Sequence, residues 1–106
     1  VAGHNLLAPK VLPFELGNAL SAMVKKGSLE KSDVRRTWDM LLSIPVELCD
    51  IDIRSALDIA ARFNIYAYDA YFLECALKHR APLLTLDKGM QRVAKKLPVE
   101  VLEFPA

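Results

Sequence analysis

The sequence lacks a long apolar segment, because none of its hydrophobic runs approaches the roughly 18 residues that a membrane-spanning helix needs. Its first residues also lack the features of a secretory signal peptide. Lysine and arginine number 14 against 13 aspartate and glutamate, and a formal net charge of +1 gives no overall attraction to nucleic acid. We therefore expect a cytoplasmic protein in which any binding of nucleic acid depends on a local basic surface.

Cysteine and glycine are also scarce. The two cysteines, Cys49 and Cys75, lie in apolar segments without the spacing of a redox or metal motif, which suits a reducing compartment. None of the four glycines belongs to a glycine-rich phosphate loop. Cys75 and His79 are four residues apart, as in some zinc sites and nucleophile–base pairs, but no third ligand follows at a suitable spacing. We expect neither kind of site.

Short apolar segments alternate with amphipathic ones along the whole chain. With 106 residues, 53% of them apolar, the chain is long enough for one domain with one core, and it contains no repeat or linker. The predicted strands are residues 5–8, 46–49, 82–86 and 99–102, with helices between them. This order is typical of a parallel sheet covered on both faces by helices. The predicted fold is therefore α/β, with three α/β/α layers in a single domain over residues 1–106.

Helix ends can be predicted from the residues that cap them. Asp52 is placed to cap a helix over residues 53–63, and Asn64 is placed to end it in a left-handed conformation. The apolar face predicted for this helix consists of Ile53, Ala56, Leu57, Ala60 and Phe63.

A charged residue interrupts the apolar stripe of the next helix. Asp69 shares a face with Phe72, Leu73, Ala76 and Leu77, because residues three, four, seven and eight apart lie on one side of a helix. Burying a carboxylate is costly unless it is paired, capped or bound to a metal. One alternative is that free N–H groups at the helix start satisfy Asp69. Glu74, by contrast, is predicted to lie off the stripe and to pair with Lys78.

Two further acids are expected near Asp69. Asp87 directly follows the strand at 82–86, and Glu15 begins the helix after the first strand. In parallel sheets, residues at the carboxyl ends of strands meet at one edge, where ligands bind. Three carboxylates there would repel one another unless a hard divalent cation such as Mg²⁺ or Mn²⁺ neutralised them. The alternatives are a surface ion pair for Glu15 and a helix cap for Asp87.

Several other polar residues could serve the same edge. Thr85 could orient a water or an acid, although threonine is also a good strand former. Asn18 lies one turn after Glu15, where it could support that carboxylate or be merely solvated. Four basic residues share one face of the last helix and begin beside Asp87: Lys88, Arg92, Lys95 and Lys96. They could steer a phosphate backbone, or they could be the solvated side of an amphipathic helix.

The order of these segments resembles the PIN domain family, and most of all its VapC-type toxins. The resemblance is carried by L-L-A-P at 6–9, E-L-G-N-A-L at 15–20, Y-D-A at 68–70 and L-L-T-L-D at 83–87. It implies a Mg²⁺- or Mn²⁺-dependent endoribonuclease that acts on RNA, is inhibited by a cognate antitoxin protein and is commonly a homodimer. Glu15, Asp69 and Asp87 match the second, third and fourth family acids. The first acid lies in an N-terminal strand that this sequence does not contain, so we expect an N-terminally truncated chain.

Two other kinds of function remain open. The chain could be a catalytically inactive PIN-like binding or dimerisation module in which the acids only cap helices. A phosphoacceptor signalling domain is less compatible, because it needs a reactive aspartate at a strand end and a partnering lysine at a later strand. Asp87 alone has such a position.

Overall fold

The computed structural model describes residues 6–85 and 87–102. The chain divides into two compact units, an N-terminal unit over residues 5–48 and a C-terminal unit that begins at Cys49. The elements, in chain order, are β1 (Leu6–Pro9), α1 (Leu12–Lys26), a short 3₁₀ helix (Lys31–Asp33), α2 (Val34–Leu42), β2 (Val46–Cys49), α3 (Ile53–Phe63), α4 (Ala67–His79), β3 (Leu83–Leu84), α5 (Lys88–Lys96) and β4 (Val101–Leu102).

The N-terminal unit is built from β1, α1, the 3₁₀ turn, α2 and most of β2. β1 and β2 are hydrogen-bonded neighbours in a two-stranded sheet. α1 has Pro13 in its first turn, where a missing N–H costs nothing, and it ends at Gly27 with a φ of 81°. α2 ends shortly before Pro45, which disfavours helical backbone at the residue preceding it.

The C-terminal unit contains a core made by three helices and a parallel strand pair. β3 and β4 pair in parallel, with Leu83 opposite Val101. The buried residues of this core come from α3, α4, α5 and the segments of β3 and β4; they include Ala56, Ile59, Ala70, Leu73, Ala76, Leu83, Val93, Ala94, Leu97 and Val99. Helices packed with a parallel strand pair confirm the predicted α/β class.

The caps of α3 are as predicted. The Asp52 carboxylate accepts hydrogen bonds from Ser55 N at 3.1 Å and from Ser55 Oγ at 3.0 Å. These bonds to Ser55 hold the pKa of Asp52 below its usual range, because they stabilise the ionised form. Asn64 ends the helix with a φ of 54°, as predicted for a left-handed stop.

The predicted apolar face of α3 is partly wrong. Ile53 and Leu57 are 54% and 50% exposed, whereas Ile59 is buried. The buried side contains Ala56 and Ile59, with Ala60 and Phe63 packed against the core. Apolar side chains surround much of this helix, so their periodicity alone did not identify which side faces the core.

The prediction for Glu74 is also wrong. Its side chain is buried, and its Oε1 accepts a long hydrogen bond of 3.4 Å from the backbone N of Asp52. Lys78 Nζ donates to the carbonyl of Asp50 at 3.5 Å. The four residues 73–76 are all buried, and four residues complete a helical turn, so α4 is enclosed on every side at this point.

Within the described residues, no helix is both long enough and apolar enough to cross a membrane.

Candidate functional site

Asp69 lies in the first turn of α4, half-buried, as the apolar stripe predicted. The residue before the helix, Tyr66, has extended backbone and gives no side-chain cap. Among the hydrogen bonds of residues 6–85 and 87–102, none is accepted by the Asp69 carboxylate. Within the described part of the chain, the free N–H groups at the start of α4 therefore do not satisfy the Asp69 carboxylate, and this alternative is wrong.

Asp87 is the N-cap of α5, which is the alternative given for it above. Its Oδ1 accepts a hydrogen bond of 3.1 Å from the backbone N of Met90. The Asp87 side chain is exposed. Capping uses one carboxylate oxygen, and a carboxylate offers about four lone-pair positions, so the cap leaves the residue able to bind a cation as well.

The turn that carries Asp87 is held by its neighbours. Thr85 Oγ1 accepts a hydrogen bond of 3.1 Å from the backbone N of Asp87. Gln91 Nε2 donates to the carbonyl of Thr85 at 3.0 Å. Thr85 therefore positions Asp87 through the main chain, in line with the supporting role considered for it. This role of Gln91 was not predicted from the sequence. The signal that could have indicated it is the position of Gln91 one turn into α5, after a capping aspartate. Leu86 lies outside the described residues.

Asp69 and Asp87 interact electrostatically. The pKa of Asp69 is raised, first because burial disfavours its ionised form and second because the negative charge of Asp87 is nearby. Both residues belong to the C-terminal unit. Like charges that are kept close by the fold are typical of sites that bind a cation or transfer a proton. The half-buried carboxylate of Asp69 and the exposed one of Asp87 are hard oxygen ligands, so this donor set fits a divalent cation such as Mg²⁺ or Mn²⁺.

Glu15 and Asn18 lie in the N-terminal unit. Glu15 is half-buried in the first turn of α1, and Asn18 is exposed one turn later. Both belong to a different compact unit from the two aspartates. The inclusion of Glu15 as a third ligand, and the supporting role of Asn18, stay predictions.

The predicted basic stripe is exposed along its length. This stripe consists of Lys88, Arg92, Lys95 and Lys96, all on α5. Because Asp87 caps the same helix, the stripe begins at the candidate site.

Gly89 is a close neighbour of the Asp87 carboxylate. A β-carbon at this position would lie 3.0 Å from Asp87 Oδ1 and 3.9 Å from Arg92 Nη2. Ordinary carbon–oxygen contacts are longer, so any side chain at position 89 would push the capping carboxylate. Glycine thus leaves room for Asp87, a role that sequence reasoning missed.

Cys49 lies beside Cys75 and His79 and supplies a third potential metal ligand, contrary to the expectation from the sequence. Ligating atoms of Cys49, Cys75 and His79 all lie within 4.8 Å of one another. Burial raises the pKa of the Cys75 thiol to about 11, with the neighbouring Cys49 as the second cause. No local spacing could have revealed this group, because Cys49 reaches it only through the fold.

Comparison with known families assigns the chain. The PIN domain family model matches residues 1–96. PIN domains have a three-layer α/β/α fold and are generally nucleases that use divalent metal ions. No curated protein matches the chain. The match covers most of the sequence and agrees with the α/β architecture, so this chain belongs to the PIN domain family.

Proposed function

We propose that this chain is the nuclease domain of a VapC-type toxin, an endoribonuclease that hydrolyses RNA phosphodiester bonds with Mg²⁺ or Mn²⁺. The observation that carries this proposal is that Asp69 and Asp87 begin two helices of one compact unit and that the charge of Asp87 helps to raise the pKa of Asp69. Carboxylates that raise one another's pKa are typical of functional sites, where a bound cation can compensate their charge. Loss of metal-dependent RNA cleavage in an Asp69→Asn variant tests the proposal.

In this proposal Asp69 and Asp87 hold the cation through their carboxylate oxygens, and Glu15 as a further ligand stays a prediction from the sequence resemblance. A bound divalent ion would supply the positive charge that activates a water for attack on phosphorus and offsets the charge developing on the phosphate. Thr85 keeps Asp87 in place through its hydrogen bond to the main chain. Asn18 is assigned a supporting role one turn after Glu15.

The basic stripe is proposed to hold the RNA backbone beside these acids. We expect Arg92→Glu, at the residue whose Nη2 lies 3.9 Å from where a β-carbon of residue 89 would be, to weaken RNA binding several-fold at low salt and to reduce the dependence of binding on salt concentration. Each phosphate contact that is lost removes about one released counterion. Fluorescence anisotropy with a labelled single-stranded RNA, at several salt concentrations, measures both effects.

Arg62→Glu is the matched control, because Arg62 is an exposed arginine on α3. Arg62→Glu changes the net charge by the same amount as Arg92→Glu does. Apart from the effect of that charge, the RNA affinity of Arg62→Glu is expected to stay within about twofold of wild type. Equal losses from Arg92→Glu and Arg62→Glu would contradict a specific role for the stripe.

Gly89→Ala tests whether the position of Asp87 matters for metal binding. The added methyl group would meet Asp87 Oδ1 at 3.0 Å, so the carboxylate must move. We expect the Mn²⁺ affinity to fall several-fold. The higher helix propensity of alanine, about 1 kcal/mol over glycine, offsets part of any loss of the cap. Isothermal titration calorimetry gives the affinity and thermal denaturation gives the stability.

Gly17→Ala is the control for this substitution. Gly17 lies inside α1, and a β-carbon there would meet nothing within 4 Å. It is expected to raise stability by roughly 0.5–1 kcal/mol without changing Mn²⁺ affinity. If Gly89→Ala binds Mn²⁺ as tightly as Gly17→Ala does, the position of the Asp87 carboxylate is not critical.

The proposed toxin would be inhibited by a small antitoxin protein and would act as a homodimer. Support for both comes from the resemblance of the sequence segments to VapC-type toxins.

The rival function, an inactive binding or dimerisation module, draws on one observation: Asp87 does cap α5. A module whose acids serve only as caps would not be stabilised by Mn²⁺, whereas a native state that binds the ion must be. Asn is as good a cap as Asp, so Asp87→Asn removes the charge while keeping the cap.

A further inference from the structure

Two buried thiols and one imidazole converge on the same point in the C-terminal unit. Cys49 is the last residue of β2, and Cys75 and His79 lie one turn apart on α4. Residues four apart share a helix face, so the two α4 side chains point the same way. Their ligating atoms and the Sγ of Cys49 lie within 4.8 Å of one another. Within the described residues, no disulfide joins the two cysteines.

The chemistry of this group differs from that of the aspartates. Two sulfur ligands and one nitrogen ligand suit a borderline-soft ion, above all Zn²⁺, which favours tetrahedral sites made from cysteine and histidine. Hard ions such as Mg²⁺ prefer oxygen and have little affinity for thiolates. Three protein ligands leave one position of a tetrahedron open for water or another ligand.

The surroundings also suit a bound ion. Cys49 and Cys75 are buried, at 6% and 5% exposure, which would protect the metal–sulfur bonds from solvent. His79 is exposed, so an ion can reach the group from the surface and meet the imidazole first. Metal binding requires both thiols to release their protons, and the bonds to the ion provide the compensation.

We propose that Cys49, Cys75 and His79 form a binding site for Zn²⁺ or a similar transition-metal ion, separate from the acidic site. The ion would join the end of β2 to α4, the helix whose first turn carries Asp69. Because the ligands come from segments 26 residues apart in the chain, an ion bound to all three is bound only by the folded state, and it stabilises that state by mass action. The proposal does not depend on nuclease activity.

Cobalt substitution tests this site directly. The full chain, kept reduced with a phosphine that does not bind the metal, is titrated with Co²⁺ and then with Zn²⁺. We expect one equivalent of Co²⁺ to produce the near-ultraviolet charge-transfer absorption of a thiolate–cobalt bond, and Zn²⁺ to abolish it by displacement. Carboxylates cannot give this absorption, so ions at Asp69 and Asp87 do not contribute to it.

Matched variants assign the ligands. His79→Gln is expected to lower Zn²⁺ affinity at least about tenfold, as judged against a chromophoric chelator. His79 is exposed, so this variant should fold. The control is His4→Gln, at the other of the two histidines in the sequence, and it should bind like wild type. Cys75→Ala should abolish the charge-transfer absorption, and Asp69→Asn should retain it.

The outcomes are distinct. Absence of thiolate–cobalt absorption in the reduced wild-type chain overturns the proposal, as does equal Zn²⁺ affinity of His79→Gln and His4→Gln. If Cys75→Ala fails to fold, the comparison of Zn²⁺ affinity between His79→Gln and His4→Gln still tests the proposal. A positive result together with an Asp69→Asn protein that cleaves RNA normally would support this site while removing the proposed nuclease mechanism.

Discussion

Asp69→Asn is expected to lower Mn²⁺-dependent RNA cleavage on the order of a hundredfold or more. Asparagine has nearly the shape of aspartate but carries no charge, so it holds a divalent cation poorly. The acid is half-buried in the first turn of α4 and lies within electrostatic reach of Asp87. Cleavage of a labelled RNA is measured at a series of Mn²⁺ concentrations, and excess metal should not restore the rate.

The same substitution should stabilise the metal-free protein. The pKa of Asp69 is raised in the folded state by burial and by Asp87, so at neutral pH the ionised carboxylate opposes folding. Removing the charge therefore raises the melting temperature in the presence of a chelator.

The dependence on pH has a defined sign. A carboxyl whose pKa is higher in the folded than in the unfolded state makes folding more favourable as the pH falls through the folded-state pKa. Wild type should therefore recover toward the stability of Asp69→Asn as the pH falls from neutral into the acidic range above 3.8. Asp58→Asn, at an exposed aspartate of α3, is the control and should show neither effect. A lower melting temperature for Asp69→Asn at neutral pH would contradict the electrostatic strain inferred at this position.

Leu73→Ala is expected to cost about 2–5 kcal/mol of folding free energy. Leu73 has no exposed surface and is one of the largest fully buried side chains of the described residues. It belongs to the core cluster together with residues of α3, α5 and both strands of the parallel pair. Truncation removes its hydrophobic contribution and leaves a cavity that close packing cannot fill. Urea denaturation followed by circular dichroism measures the loss.

Leu77→Ala is the matched control, since it is the same substitution one turn further along α4. Leu77 was predicted to lie on the apolar stripe of α4, and this prediction is wrong, because its side chain is 41% exposed. Its truncation should cost about 1 kcal/mol or less, and alanine raises helix propensity slightly. Similar losses for the two variants would show that Leu73 is not a central residue of this core.

The local features of the fold were predictable from the sequence because they depend on neighbouring residues. Asp52 and Asn64 bound α3 through interactions within a few residues, and the structure has both as predicted. The half-burial of Asp69 followed from the helical period, which places it on the side of Leu73. The α/β class followed from the alternation of apolar strands with amphipathic helices.

Features that depend on distant contacts were not predictable. Glu74 was expected on the surface, but α4 is enclosed on every side at this point and the carboxylate bonds to the backbone before α3. Neither the burial of Ile59 nor the grouping of Cys49 with Cys75 and His79 leaves a periodic signal, because each is set by how elements pack. The strand predicted over residues 82–86 is shorter in the structure, where β3 ends at Leu84 and Asp87 follows three residues later as the N-cap of α5. The space that Gly89 leaves for Asp87 is a matter of a few tenths of an ångström.

The central claim is that Asp69 and Asp87 together hold a divalent cation, and Mn²⁺ titration of thermal stability tests it most directly. Wild type, Asp69→Asn, Asp87→Asn and the control Asp58→Asn are melted over a range of Mn²⁺ concentrations. The melting temperatures of wild type and Asp58→Asn should rise with the Mn²⁺ concentration. At a hundred times the dissociation constant, the bound ion adds about 2.7 kcal/mol to the free energy of unfolding. Asp69→Asn and Asp87→Asn should gain little. An equal gain in all four proteins, or none in wild type, would contradict the claim.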